Sequence, residues 1–302
     1  MHPLDAQLAN GSVQVSSPSN FPHSTSEIQT MVQSAVTISI VAEAKKGPFV
    51  YHDDVAEGCR KAAELGYDAV EIFAPSPEAI NELPLTDLLQ KHGLKLAAVG
   101  TGAGMVKHGL HLCDPDIDRR TKAKDFIKGI IKAGAPYGAP ALIGSMQGKW
   151  DAVTDEATAL GYLKAALSEL GEFAKEQGTI LIYEPLNRYE TNLATTMKAG
   201  VELLSGVDSD NVKLLADLFH MNIEEACIAE GIRDGGSHIG HVHFVDSNRQ
   251  AAGRGHMDYA PIVQALKDIN YNGYASAEAF PIPDSDEAAR QTIETYKAVF
   301  GA

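Results

Sequence analysis

The feature that most constrains the fold of this chain is an alternation of short apolar runs with longer amphipathic segments, repeated eight times after residue 35. The apolar runs are predicted to be strands, at residues 36–41, 69–73, 94–99, 141–144, 180–184, 212–217, 239–245 and 273–279. Most of these runs are continuously apolar, as expected of strands buried on both faces of a parallel sheet.

The segments between the predicted strands have the spacing of amphipathic helices. The clearest one places five apolar residues on a single face: Leu160, Leu163, Leu167, Leu170 and Phe173. Strands that alternate with helices imply parallel βαβ units, either in an open doubly wound sheet or in a closed barrel. Residues 41–49, after the first strand, lack the GxGxxG turn of a dinucleotide-binding sheet. Eight units therefore favour a (β/α)8 TIM barrel, a single α/β domain at residues 34–302.

Residues 1–33 are rich in Ser, Asn, Gln and Pro without periodicity, which predicts a mobile N-terminal extension that carries no chemistry. A mis-assigned start codon upstream of Met31 is an equal explanation. The three cysteines are widely spaced and form no CxxC pair, which is typical of a reducing cytoplasm. No run approaches the roughly 20 apolar residues of a bilayer-spanning helix, so no membrane association is expected.

The net charge of the chain is -15, because the sequence contains 40 Asp and Glu residues and 25 Lys and Arg residues. A polyanion would be repelled before it reached any site, and nucleic acid is therefore not an expected partner.

Four ionisable residues fall at or near the ends of the last four predicted strands: Glu184, Asp217, His243 and Glu278. In a barrel, the carboxyl ends of the strands converge on one rim, where active sites of this fold are built. Carboxylates brought together repel and take up protons, unless a divalent cation holds them ionised. Three oxygen donors and one nitrogen suit Mn²⁺, the first choice, or Mg²⁺ or Co²⁺ better than a structural zinc. The sequence thus predicts one divalent metal ion per subunit.

Four sequence segments resemble a known family. They are Tyr-Glu-Pro-Leu-Asn-Arg-Tyr-Glu-Thr-Asn at 183–192, Ala-Asp-Leu-Phe-His-Met-Asn-Ile-Glu-Glu at 216–225, Gly-His-Val-His-Phe-Val-Asp-Ser-Asn-Arg at 240–249, and Ala277-Glu278. They are similar to the signatures of ketose 3-epimerases of the D-tagatose and D-psicose 3-epimerase type, within the xylose-isomerase-like barrel superfamily. The resemblance extends from about residue 36 to the C-terminus, and its second half is the specific part.

The resemblance implies that Glu184, Asp217, His243 and Glu278 are the metal ligands. The second histidine of the His-x-His pair is then the ligand, and His241 is structural. It also implies that Glu190, His220 and Arg249 bind substrate oxygens near C1 and C2 of the sugar. A small-molecule sugar is the expected partner. Barrels of this family often form dimers or tetramers, so a homo-oligomer is also expected.

The predicted chemistry moves a proton at a carbon beside a ketone, through an enediolate that the metal stabilises. For 3-epimerisation, one of Glu184 and Glu278 removes the C3 proton, and the other returns a proton on the opposite face. Aldose–ketose isomerisation uses the same enediolate, and hydroxypyruvate isomerase and the inosose and 3-dehydroshikimate dehydratases, which pass through metal-stabilised enolates, are alternatives with this ligand pattern. An apurinic-site endonuclease and a non-catalytic sugar-binding barrel are the weaker alternatives, because the former needs further histidines and the latter needs no acid and base.

Loops three and four supply candidates for a wall that faces the sugar: His108, His111, Gln147 and Trp150. Glu43 and Glu71 also lie near strand ends. Both are left outside the predicted catalytic set, although hydrogen bonds to substrate or to groups around the ligands are open to them.

Overall fold

The computed structural model describes residues 32–301, and its centre is a ring of eight parallel strands. Together with one short strand outside the ring, β2, the strands are β1 (Gln33–Ser39), β2 (Tyr51–His52), β3 (Ala69–Phe73), β4 (Lys95–Gly100), β5 (Ala141–Ile143), β6 (Leu181–Tyr183), β7 (Val212–Asp217), β8 (Ile239–His243) and β9 (Tyr274–Ala277). Pairing of β1 with β9, from Gln33↔Tyr274 to Val36↔Ala277, closes the ring. The predicted (β/α)8 barrel is therefore confirmed.

The short strand β2 lies outside the ring and was not predicted. It pairs with β1 at Ser39↔His52, on the edge of β1 that is free beyond the last pair with β9. Thr37 marks the change of partner, because its Oγ1 donates to the carbonyl of Ala277 (2.8 Å) and accepts from the N–H of Val50 (3.0 Å). Two residues are too few for a periodicity signal.

The first barrel strand also begins earlier than predicted, at Gln33 instead of residue 36. Val32 and Gln33 thus lie within the described part of the chain. The remainder of the predicted N-terminal extension, residues 1–31, lies outside it.

Eleven α-helices occur within residues 32–301. They are α1 (Val55–Leu65), α2 (Pro77–Asn81), α3 (Leu85–His92), α4 (Ala103–His108), α5 (Ile117–Gly134), α6 (Glu156–Glu176), α7 (Met197–Leu204), α8 (Leu218–Glu224), α9 (Ile228–Gly235), α10 (Tyr259–Asp268) and α11 (Ser285–Phe300). Among these residues, no helix has both the length and the apolar composition that crossing a bilayer requires.

Helix α6 shows how the sequence sets these boundaries. Asp155 begins it, with a side chain that accepts a hydrogen bond from the N–H of Thr158 (3.0 Å). The predicted apolar face points to the strands: Leu163, Leu167 and Leu170 are buried, while Leu160 and Phe173 are partly buried against the core. Packing of this kind fixes each helix outside the ring.

The interior of the barrel contains both apolar and polar buried side chains. A buried cluster separate from the main core consists of Ala98, Leu142, Ile182 and Leu215. Other buried side chains of the strands are instead ionisable: Glu71 and His241 lie in the middle of β3 and β8, and His243 ends β8. Buried polar groups need partners or a ligand, and the carboxyl ends of the strands are where this fold builds its functional sites.

Candidate active site

The four predicted metal ligands lie side by side at the carboxyl end of the barrel. Glu184 follows β6 directly, Asp217 ends β7, His243 ends β8, and Glu278 follows β9. All four are buried, with exposed fractions between 1% and 7%. Because β6 to β9 are consecutive neighbours in the ring, their ends place these side chains on one arc of the rim.

Ligand atoms of Asp217, His243 and Glu278 lie within 4.8 Å of one another, and Glu184 forms a second such group with Asp217 and His220. The centre of the group is Nδ1 of His243, which is 3.1 Å from Oδ2 of Asp217, 3.5 Å from Oε2 of Glu278 and 3.7 Å from Oε1 of Glu184. Oε1 of Glu184 is buried and accepts no hydrogen bond. A buried acceptor without a partner is unfavourable, and a cation would satisfy it. The donor set therefore fits a divalent metal that prefers oxygen ligands.

Without a cation, the pKa values of Glu184 and His243 are strongly raised. Burial raises the pKa of Glu184 well above its ordinary value, and the carboxylates of Glu278 and Asp217 raise it further. Burial alone would lower the pKa of His243, but Glu278 and the other neighbouring carboxylates outweigh it, and the pKa lies well above the usual range. Protons at these sites balance the negative charges, and a divalent cation would replace them.

Asp217 has two roles that use different oxygens. Its Oδ1 accepts from the N–H groups of Phe219 (2.7 Å) and His220 (3.1 Å), and so begins helix α8. Its Oδ2 faces His243. Burial would raise the pKa of Asp217, but His220, His243 and Arg249 hold it well below the ordinary range.

Glu71, left outside the predicted catalytic set, lies directly behind the ligand group. Its Oε1 is 3.2 Å from Nε2 of His243 and its Oε2 is 2.8 Å from Nε2 of His241. These three residues also have metal-binding spacing. The candidate active-site cavity is lined by His243 but not by Glu71 or His241. A cation bound between Glu71 and His241 would therefore not contact a substrate in this cavity. The sequence signal was a single charge inside the apolar run of β3.

The three residues implied to bind substrate border the same cavity. Nη2 of Arg249 donates to Oε2 of Glu278 (2.7 Å), and its Nη1 lies 3.4 Å from Oε1 of Glu190. The guanidinium also stacks over the ring of Phe219, 4.9 Å from its centroid. His220 lies between Asn187 and the ligand group, with Nε2 3.7 Å from Oε1 of Glu184. The structure thus brings all seven predicted site residues together.

The cavity has a volume of about 360 Å³. Apolar residues also line it, among them Phe49, Phe73 and Val106, and the rings of Phe49 and Phe73 are 4.4 Å apart. The predicted wall of His108, His111, Gln147 and Trp150 is wrong, since none of these lines the cavity. Gln147 instead donates to the carbonyl of Glu184 (2.9 Å), and Trp150 bonds to Asn192.

This fold and this group of ligands define a (β/α)8 barrel with a candidate metal site at its carboxyl end. The chain belongs to the Xylose isomerase-like TIM barrel family, whose model matches residues 59–299. The D-psicose 3-epimerase of Ruminiclostridium cellulolyticum is 36% identical over 229 residues, covering 73% of this chain and 76% of that protein. The L-ribulose 3-epimerase of a Methylomonas species is 32% identical over 246 residues, covering 79% and 84%.

Comparison with solved structures identifies the same kind of relative. The crystal structure of D-psicose 3-epimerase with D-tagatose from Clostridium cellulolyticum has a TM-score of 0.73 and 26% identity, and the match covers 89% of this chain and 99% of that one. The predicted family and the prediction that the chain is an enzyme are therefore confirmed, and the relatives support a sugar epimerase function.

Proposed function

We propose that this protein is a ketose 3-epimerase that acts on an unphosphorylated sugar and uses one divalent cation, with Mn²⁺ the expected ion. The observation that carries the proposal is the position of two carboxylates, Glu184 and Glu278. Both line the cavity, and they come from β6 and β9, on either side of Asp217 and His243. Epimerisation needs an acid and a base on opposite faces of one carbon, and this arrangement supplies the pair.

The cation would be held by Glu184, Asp217, His243 and Glu278. Bound there, it would supply Lewis-acid chemistry, lowering the pKa of a C–H beside the ketone and stabilising the enediolate. One glutamate then removes the C3 proton from one face of the sugar, and the other protonates C3 from the opposite face. In the reverse direction, the two glutamates exchange roles.

Three further residues would orient the sugar. Nε2 of His220 is buried without a hydrogen-bond partner and faces the cavity, so it is placed to donate to a sugar oxygen. Glu190 is a partly exposed acceptor for a hydroxyl. Arg249 contacts Glu278 directly and would donate to an oxygen beside the reacting carbon.

Size and charge of the cavity favour a free monosaccharide. The volume of about 360 Å³ is at the small end of ligand sites. Arg249 is the sole Lys or Arg among the described residues that line it, and it already faces Glu278 and Glu190. Lys107, near the rim, is 3.7 Å from Glu43. A phosphate would bring two further negative charges into this acidic site.

Product analysis tests the proposal. The metal-stripped enzyme, with Mn²⁺ restored, is incubated with D-fructose, D-psicose and D-tagatose, and the products are separated by chromatography. A C3 epimer that appears with Mn²⁺ and not with chelator is expected. An aldose product would indicate an isomerase, and a dehydrated product a lyase; either would overturn the 3-epimerase assignment.

A further inference from the structure

A carboxylate with no exposure to solvent sits between two histidines inside the barrel. Glu71 lies on β3, His241 and His243 lie on β8, and β1 and β9 separate these two strands in the ring. The exposed fractions are 0% for Glu71 and 1% for each histidine. One oxygen of Glu71 faces each Nε2 atom, at 2.8 Å and 3.2 Å.

This contact determines which nitrogen of His243 is free. An ionised carboxylate only accepts hydrogen bonds, so the Nε2 atoms that face Glu71 carry hydrogens. In neutral His243, Nδ1 then has the lone pair. Nδ1 is the atom that faces Asp217, Glu184 and Glu278. The tautomer fixed by Glu71 is therefore the one that a cation at this group requires.

His241 completes the arrangement from the other side. Without its Nε2–H, the Oε2 atom of Glu71 would be a buried acceptor lacking this hydrogen bond, at an energetic cost. With it, both carboxylate oxygens are held, and the plane of the carboxylate is fixed relative to His243.

We infer that Glu71 is a positioning residue of the metal centre, which orients His243 with Nδ1 towards the cation, and that His241 in turn orients Glu71. The inference rests on the proposed metal centre and extends it to two residues that touch neither cation nor substrate. Loss of such a supporting contact lowers metal affinity by about 10-fold to 100-fold.

The test measures Mn²⁺ affinity by titration calorimetry on the chelator-treated full chain. Glutamine at position 71 is neutral and has one acceptor end and one donor end, so it can accept a hydrogen bond from the Nε2–H of only one of the two histidines. We expect Glu71→Gln to weaken Mn²⁺ binding by about 10-fold to 100-fold. Glu169→Gln, the same change on the exposed face of α6, should bind as wild type does. Thermal unfolding of each variant verifies that it is folded.

A second pair of variants keeps the test decisive if Glu71→Gln does not fold. His241→Gln retains a donor for Glu71 and should bind Mn²⁺ within about threefold of wild type, while His241→Leu removes the donor and should lose about tenfold. Equal affinity of wild type, Glu71→Gln and His241→Leu would overturn the positioning role alone. Absence of Mn²⁺ binding by the wild type would overturn the proposed function as well.

Discussion

The backbone N–H of Asn187 donates a hydrogen bond to Nδ1 of His220, at 3.2 Å. Nδ1 is therefore the acceptor, and the hydrogen of the neutral imidazole is on Nε2. Burial lowers the pKa of His220, which favours this neutral form. Nε2 faces Glu184 and Asp217, at 3.7 Å and 3.8 Å, but as a donor it cannot coordinate a cation. His220 is thus suited to a sugar oxygen.

This assignment predicts that removing the His220 side chain impairs turnover of the substrate and leaves metal binding intact. His220→Leu removes the donor, and we expect kcat/KM to fall by about 10-fold to 100-fold, the value of one hydrogen bond at a buried site. Mn²⁺ affinity should stay within about twofold of wild type. His220→Gln, which keeps a donor, serves as the control and should retain more activity. Loss of Mn²⁺ binding in His220→Leu would instead identify His220 as a ligand.

The raised pKa of Glu184 predicts how the metal-free protein responds to pH. Its folded-state pKa lies above the ordinary 4.5, so the associated stability is complete below that value and is lost as pH rises through the folded pKa. The raised pKa of His243 acts in the same direction. We expect the Tm of the chelated protein to fall as pH rises from 5 towards 8.

Glu184→Gln provides the comparison, because it removes the ionisation at position 184. Its Tm should depend less steeply on pH, and saturating Mn²⁺ should flatten the wild-type dependence. Thermal scans in chelator and in Mn²⁺ measure both effects. Identical slopes for wild type and Glu184→Gln in chelator would contradict this account of the site.

The backbone of Gly144 lies so close to the carboxylate of Glu184 that a larger residue at position 144 should disturb the site. A Cβ atom at this position would lie 2.5 Å from Oε2 of Glu184. Gly144→Ala should therefore displace that carboxylate and lower turnover by about 100-fold, the effect of misplacing a reacting group by about 1 Å. Gly161→Ala is the matched control, since no atom lies within 4 Å of its Cβ, and it should be active and more stable by about 0.5–1 kcal/mol. Steady-state kinetics and denaturant unfolding distinguish the two.

The loop that carries Arg249 is held by the buried carboxylate of Asp246. Its oxygens accept from the N–H groups of Ser247 (2.8 Å), Gly253 (2.8 Å) and Met257 (3.2 Å), and from the hydroxyl of Tyr259 (3.0 Å). Asp246→Asn replaces one acceptor with a donor, so we expect a loss of about 1–3 kcal/mol in unfolding free energy. KM should also rise, because Arg249 loses its fixed position.

Urea unfolding and initial rates measure these changes. Asp210→Asn removes an exposed partner of Lys175 and should leave the stability of the fold close to that of wild type. If Asp246→Asn matched this control in both measurements, the loop would not depend on Asp246.

The sequence predicted the barrel and the position of its ligand group for one physical reason. Strands buried on both faces leave a continuous apolar run, and an ionisable residue such as Asp217 or His243 at its end interrupts the pattern visibly. Glu71 interrupts a run as well, but its two histidine partners lie 170 and 172 residues away. Nothing local indicates which distant strand it faces.

The apolar lining of the cavity was harder to predict than its metal ligands. Phe49 comes from the segment before β2, and Phe73 ends β3, so the pair meets through the fold of a loop. Trp150 looked like a wall residue by its type, but hydrogen bonds to Asn192 turn it away from the cavity. Loop conformation depends on such tertiary contacts more than on local sequence.

Deuterium exchange at C3 of the sugar tests the central claim most directly. The Mn²⁺-restored enzyme is incubated with D-fructose, D-psicose or D-tagatose in D₂O, and NMR follows the C3 position. We expect exchange that requires the metal and that falls by about 100-fold to 10,000-fold in Glu278→Gln, the usual contribution of a general acid or base. Exchange confined to C1, or none at C3 in any ketose despite tight Mn²⁺ binding, would contradict the proposed 3-epimerase chemistry.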